Sequence, residues 1–338
     1  MSRQLVAIIL GACSLIHPMF SVAAVQIYAH RGTRVYFPES SMSAYKFAVH
    51  MGADWLDADL HLTKDGQLVV IHDDTLSPDM IKRKDGHWVA PNVAVSDLTL
   101  KQLQQYTLSS PRPNSELSRL FPLVRDTPNA TVSTLNEVVS TMDEYAGYPV
   151  RWQLEIKTNP QAADLNDYAT LTKKVVQFIQ SHQMVDRVEV QAFDWRVLQL
   201  IHQLNPKIHT AALLDRYTVS LQREKSSLDG IWTAGLMPED FDWNYARMAA
   251  SLGARCLEPY EMDATEEMVK QAHALGLKVV TWHWAEQQGA WSDWRRTQEL
   301  VTWGVDGLIV DDLASAEAMM VEQGQMRQCN ASLPVMHG

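Results

Sequence analysis

Between Tyr28 and Asp74 the chain carries a high density of groups that can do chemistry. A short apolar run ends in His30-Arg31-Gly32, and Pro38-Glu39 follows. Asp57 and Asp59 then stand two apart in an extended run, and a second apolar run, Leu68 to Ile71, ends in His72-Asp73. Residues two apart in a strand point to one face, so Asp57 and Asp59 present their carboxylates side by side. Two carboxylates that close repel unless a proton or a cation lies between them. A hard divalent ion with oxygen ligands, Ca2+ or Mg2+, suits that place. Histidine titrates near neutral pH, which suits it to general acid–base work, and Arg31 supplies a planar fork of donors that matches phosphate oxygens. Together these groups point to chemistry on a phosphoryl ester. Packing alone has no need of them.

Elements that could hold such groups recur along the chain. Short β-branched runs alternate with amphipathic segments, the α/β signature. Candidate strands are Ile27–His30, Trp55–Leu60, Leu68–His72, Trp152–Lys157, Val188–Ala192, Ile208–Leu214, Gly230–Thr233, Arg255–Glu258, Lys278–Trp282 and Gly307–Val310. The 338 residues exceed an average domain, but a TIM-type (β/α)8 barrel reaches this size as one unit. Ten candidates are more than eight, so at least one is a loop or an extra hairpin. Residues 77–148 interrupt the alternation with Pro91, Pro111, Pro113, Pro122 and Pro128. They read as a long insertion over one face of the barrel, placed to select substrate.

Composition narrows the partners. A net charge of −11 argues against nucleic acid, whose phosphates select basic surfaces. Mean hydropathy is −0.19, and no internal apolar run approaches the roughly 18 residues that span a bilayer. Arg3, the apolar stretch Leu5 to Ile16 and Val22-Ala23-Ala24 have the layout of a cleavable export signal over residues 1–24, leaving a mature unit of 25–338. This predicts a periplasmic protein. The run Leu10-Gly11-Ala12-Cys13 offers a competing lipoprotein reading through Cys13. Once the leader is gone Cys256 and Cys329 remain, able to pair in an oxidising compartment or to stay apart.

The stretch that opens the chain resembles the signature of the glycerophosphodiester phosphodiesterase family, which runs HRG, PENT, E-x-D, TKDG and V-x-HD. Here it stands as His30-Arg31-Gly32, Pro38-Glu39-Ser40-Ser41, Asp57-Ala58-Asp59, Thr63-Lys64-Asp65-Gly66 and Val70-Ile71-His72-Asp73. Ser-Ser replaces Asn-Thr, and Asp57 stands where the family has Glu. Further on, Asp97-Leu98-Thr99-Leu100 and Thr134-Leu135-Asn136-Glu137-Val138 resemble two of its helix starts, and Trp152 to Lys157 resembles its LEIK strand. Val190 to Asp194, Val280 to Trp284 and Gly304 to Asp311 fit later motifs more loosely.

The resemblance implies a barrel enzyme that hydrolyses glycerophosphodiesters to sn-glycerol 3-phosphate and an alcohol. It implies His30 and His72 as the acid–base pair, and Asp57, Asp59 and Glu155 on one divalent cation, Ca2+ in preference to Mg2+. Glu39 would either ligate the ion or orient Arg31. Arg31 and Lys157 would hold phosphate oxygens, and Trp282 would wall the glycerol or alcohol group. His283 invites a third catalytic role, although a lone histidine at a strand end is more often structural. Two competing readings keep the fold, a phospholipase D-like or lysophospholipid-cleaving enzyme and a non-catalytic binding relative.

Overall fold

The computed structural model describes residues 24–162, 167–221, 227, 229–285 and 293–322. Its strands are β1 (Gln26–Ala29), β2 (Trp55–Leu62), β3 (Leu68–Val70), β4 (Ile81–Arg83), β5 (Tyr106–Leu108), β6 (Trp152–Ile156), β7 (Val188–Ala192), β8 (His209–Leu214), β9 (Cys256–Pro259), β10 (Lys278–Trp282) and β11 (Gly307–Val310). Eight of them run parallel in the order β1-β11-β10-β9-β8-β7-β6-β2, and β1 closes the ring by pairing with β2 at Tyr28↔Trp55. Among the described residues this is a (β/α)8 barrel. Two of the ten expected strands lie outside the ring. Leu68–Val70 turns back antiparallel on β2, because the Lys64-Asp65-Gly66 turn makes a hairpin there. Gly230–Thr233 forms turns.

The longer helices between the barrel strands bury one apolar stripe each. Helix Leu135–Ala146 is representative. Thr134 and Glu137 form a reciprocal capping box, Gly147 closes the far end at φ 74°, and Leu135, Val138, Val139, Met142 and Ala146 are buried at i, i+3, i+4, i+7 spacing. Thr99 and Gln102 form the second capping box, so both motif-like stretches start helices. The 77–148 stretch has two parts. Residues 77–133 form a subdomain with the β4–β5 ribbon, whose Ile81, Val95, Leu103, Leu108 and Val132 pack with Ile71 and Leu76 of the preceding segment into a separate apolar core. Helix Leu135–Ala146 instead packs into the main core against the barrel. No helix among the described residues is long and apolar enough to cross a membrane. Cys256 is a buried thiol; Cys329, Cys13 and the leader lie outside the described residues.

Inside the ring, apolar and acidic side chains alternate. Tyr28 stacks on Trp55 with ring centres 5.4 Å apart, and Ala211, Cys256, Val280 and Ile309 complete an apolar plug. Pairing places Asp59, Glu155 and Gln191 in one row and Asp57, Gln153 and Glu189 in the row beneath. Gln153 Nε2 donates to Glu258 Oε1 at 2.6 Å and to Glu189 Oε1 at 3.3 Å. Burial pushes the Glu189 carboxyl up to about 7 and Glu258 well above its usual range. Ligand atoms of Glu189, Cys256 and Glu258 lie within 4.8 Å of one another. Glu189 and Cys256 sit toward the N-terminal ends of β7 and β9, and Glu258 lies two residues further along β9 on the same face.

A buried acid with a raised folded-state pKa favours the fold while it is protonated, and that contribution is lost as pH rises through its folded value. Glu189 should therefore weaken the protein above about pH 7. Glu189→Gln is expected to raise stability at pH 8.5 by on the order of 1–3 kcal/mol and to change little at pH 5. Chemical denaturation at both pH values measures it; an equal effect at both would contradict the assignment.

Candidate active site

The C-terminal strand ends of a barrel are where side chains from different strands converge. Here they enclose a cavity of about 470 Å³ lined by His30, Arg31, Glu39, His72, Glu155, Lys157 and Trp282 among others. Seven of the nine residues singled out from sequence therefore share one cavity. Asp57 and Asp59, each 1% exposed, lie beneath it.

The loop after β1 is shaped by backbone conformations that few residues adopt. Arg31 has φ 50°, Gly32 φ 83° and Ser40 φ 57°. A Cβ on Gly32 would meet Ala44 Cβ at 2.7 Å, so the loop can lie on helix Met42–His50 only with glycine there. Ser40 N–H donates to Arg31 O at 2.9 Å and fastens the two ends of the loop. In the Ser-Ser variation, Ser41 keeps the capping role by accepting from Ala44 N. Ser40 takes the left-handed position that asparagine adopts more readily.

Each candidate histidine is backed by a carboxylate. His30 Nδ1 lies 2.6 Å from Asp311 Oδ1, and His72 Nδ1 lies 2.7 Å from Asp73 Oδ1. With Nδ1 engaged, Nε2 is the atom left to exchange a proton. Burial, then the charge of Arg31, holds His30 below its usual pKa against the pull of Asp311. Burial, Arg31 and Lys157 hold His72 well below it. Asp311 stays ionised because Arg34 and His30 outweigh the cost of its burial. His61, on the same face of β2 as Asp57 and Asp59, bonds the His72 carbonyl at 3.0 Å through Nε2 and fixes the approach of that strand end.

The acids are cross-linked by cations. Lys157 Nζ lies 2.7 Å from Glu155 Oε1 and 3.0 Å from Asp59 Oδ1. Arg31 Nη1 reaches both oxygens of Glu39 at 3.1 Å, and Arg34 Nη2 reaches Glu39 Oε2 at 2.9 Å. Burial raises Asp59, but Lys157, His72 and Arg31 outweigh it and leave that carboxyl well below its usual range. Glu155 is pushed up to about 7 by burial, with Lys157 opposing. Asp57 goes up through burial and the charges of Asp59 and Glu155. Its Oδ1 accepts from Gln191 Nε2 at 2.8 Å and its Oδ2 from Arg31 N at 3.2 Å.

Several contributors were not singled out from the sequence. His61 was within reach of the period-two argument that found Asp57 and Asp59. Asp311 ends a motif-like run, but nothing local tells that it backs His30 from 281 residues away. Arg34 carries no signal beyond its charge. His283 also lines the cavity and is itself paired, Nδ1 to Glu261 Oε1 at 2.8 Å. Trp282 lines it too, its Nε1 donating to Glu258 O at 3.1 Å and its ring 5.5 Å from Phe193.

Residues 30–315 match the glycerophosphoryl diester phosphodiesterase family. A glycerophosphodiester phosphodiesterase from Bacillus altitudinis is 30% identical over 56% of this chain and 66% of its own length, so the chain spans just under two thirds of that relative. One from Caldanaerobacter subterraneus is 23% identical over 85% of this chain and 93% of its own length. Among solved structures, a provisionally named glycerophosphoryl diester phosphodiesterase from Silicibacter pomeroyi superposes with TM-score 0.74 at 24% identity, covering 91% of this chain and 95% of that one. An Oleispira antarctica phosphodiesterase, solved with the product sn-glycerol-3-phosphate, gives 0.62 at 19% identity, covering 88% and 97%. The chain belongs to the glycerophosphoryl diester phosphodiesterase family.

The cations around His72 make a prediction that does not depend on turnover. In chelator-treated protein its imidazole should titrate below 6.5, and Lys157→Met should move that titration upward, since a positive neighbour favours the neutral ring. Imidazole NMR reads this directly. An unmoved His72 would show that Lys157 does not act on it.

Proposed function

We propose that the protein hydrolyses glycerophosphodiesters to sn-glycerol 3-phosphate and an alcohol. The observation that carries this reading is the pair of carboxylate-backed histidines, His30–Asp311 and His72–Asp73, on one cavity with Arg31 and Lys157. The names of the family and of its relatives, and the product held by the Oleispira protein, support it.

In this mechanism the phosphoryl group sits against Arg31 and Lys157, whose donors neutralise charge that grows on its oxygens. One histidine takes a proton from the attacking oxygen as its bond to phosphorus forms. The other gives a proton to the alkoxide as the second phosphorus–oxygen bond breaks. Asp311 and Asp73 hold the two rings in the tautomer that work requires and stabilise each when it becomes charged.

A divalent cation fits the remaining donors. Glu39, Asp59 and Glu155 offer only oxygen, and Asp59 Oδ2 is buried with no hydrogen-bond partner, its one close charge being Arg31 Nε at 3.6 Å. These three would hold the ion, Ca2+ in preference to Mg2+ because Ca2+ accepts a looser arrangement of oxygen ligands, and it would act as a Lewis acid on the phosphoryl oxygens. Asp57, which the resemblance also puts on the ion, would join the set from beneath the cavity, where its oxygens now accept from Arg31 N and Gln191 Nε2. Trp282 and Phe193 supply an apolar wall for the carbon skeleton. The leader-like residues 1–24 support a reaction outside the cytoplasm, in the periplasm.

Release of sn-glycerol 3-phosphate from glycerophosphodiesters, assayed enzymatically, tests the reading. His30→Ala and His72→Ala should each lower kcat by about 10²–10⁴-fold, and EDTA should abolish turnover until Ca2+ is restored. Asp311→Asn should lower kcat by roughly 10- to 1,000-fold through loss of the ring's tautomer and charge partner. Turnover that survives in both histidine variants would overturn the mechanism.

A further inference from the structure

The acids toward the base of the barrel take no part in the chemistry at its mouth. Glu189, Cys256 and Glu258 each bring one ligand atom to within 4.8 Å of the others, and all three are buried, as is Gln153 beside them. Register explains the meeting. Glu189 pairs with Gln153 across β6 and β7, and Cys256 and Glu258 stand two apart on the inward face of β9. Two acceptors among them go unserved. Gln153 Nε2 already donates to one oxygen of each glutamate, and the Cys256 thiol lies 3.8 Å from Glu258 Oε1. Glu258 Oε2 and Gln153 Oε1 are buried with no hydrogen-bond partner. An acceptor buried without a donor is costly, and one cation can satisfy several at once.

The donor set says which cation. Ca2+ and Mg2+ take oxygen ligands, whereas a thiolate selects a softer ion, and sulfur together with carboxylate oxygen suits Zn2+. A half-turn of the Gln153 amide would exchange Nε2 for Oε1 beside the two carboxylates and supply a fourth ligand. Four protein ligands leave no open position, which is the mark of a structural site rather than a catalytic one. Lys278 stands opposite Cys256 in the register, on the same face of β10 as Val280 and Trp282. It would offset the negative charge that two carboxylates and a thiolate leave on a doubly charged ion. Lys278 is exposed, as is His209 opposite Glu189, which puts the ion's way in at the N-terminal end of the barrel, away from the substrate cavity.

We propose that Glu189, Cys256 and Glu258, with Gln153, form a structural Zn2+ site that ties β6, β7 and β9 together across the base of the barrel. The ion displaces the thiol proton and any proton the carboxylates hold, and these leave to solvent. The site is separate from the all-oxygen set at the mouth and does not depend on the phosphodiesterase reading.

The test is cobalt spectroscopy on the chelator-treated full chain, with Co2+ standing in for Zn2+. A thiolate on Co2+ gives a near-ultraviolet charge-transfer band that all-oxygen ligation does not give. Wild type should show the band, protein carrying Cys13→Ser and Cys329→Ser should keep it, and Cys256→Ser should lose it. Asp59→Asn, which disables the set at the mouth, should leave it unchanged. In competition titrations Cys256→Ser and Glu258→Gln should each weaken Zn2+ binding here by more than the roughly 10- to 100-fold that loss of an outer-shell partner costs. Zn2+ should also reverse the effect of Glu189→Gln at pH 8.5, which is stabilising in the chelator-treated chain and destabilising once the ion is bound. The wild-type spectrum needs no variant, so the test stays open if a substituted chain fails to fold. Wild type that binds no Co2+, or binds it without the band, or a band that survives in Cys256→Ser, overturns the proposal and leaves the two carboxylates holding protons only.

Discussion

Negative charge buried inside the barrel is the constraint on which the rest of the site depends. Asp57, Asp59, Glu155, Glu189 and Glu258 all point into a ring that largely excludes water. Uncompensated, that much charge would not stay folded and ionised. The structure resolves it in layers. Lower down, burial drives Glu189 and Glu258 toward their neutral forms, and the two share the Gln153 amide. At the mouth, Lys157, Arg31 and Arg34 compensate Asp59, Glu155 and Glu39 by ion pairing. A change in any one of these cations therefore moves the titration of its neighbours, the histidines included.

The same arrangement explains why function concentrates at one end. The cations that neutralise the acids also face the cavity, so an anionic ester meets a surface already organised to accept it. Arg31 illustrates the coupling. Its N–H supports Asp57, its guanidinium holds Glu39, and its left-handed backbone starts the loop that closes at Ser40. Strain of that kind persists only where the surroundings over-determine it, and here Ser40 N–H and the close approach to Ala44 do so.

Much of this was legible in the sequence, for identifiable reasons. Barrel strands buried on both faces read as short β-branched runs, and β7, β10 and β11 fall on the residues expected of them. Period-two spacing and strand ends also located the groups that share the cavity. Gly230–Thr233 resembled a strand by composition alone, but the φ of 81° at Gly230 turns the chain there. Partnerships across the ring were not legible. Asp311 backs His30, and Gln191 braces Asp57 from 134 residues away, because closure of the barrel joins chain segments that no local pattern relates. The limits of the insertion were blurred for a similar reason. The Pro-rich stretch runs without a break into helix Leu135–Ala146, and only packing assigns that helix to the barrel.

The central claim is that two carboxylate-backed histidines divide proton transfer on a phosphodiester. The most direct test compares an alkyl leaving group with p-nitrophenol in glycerophosphodiesters, using His30→Ala and His72→Ala. A nitrophenolate needs no proton to depart, so the variant lacking the general acid should recover most of its rate on that substrate. The variant lacking the base should stay impaired on both. That split would establish the division and name the acid. Equal impairment of both variants on both substrates would contradict it.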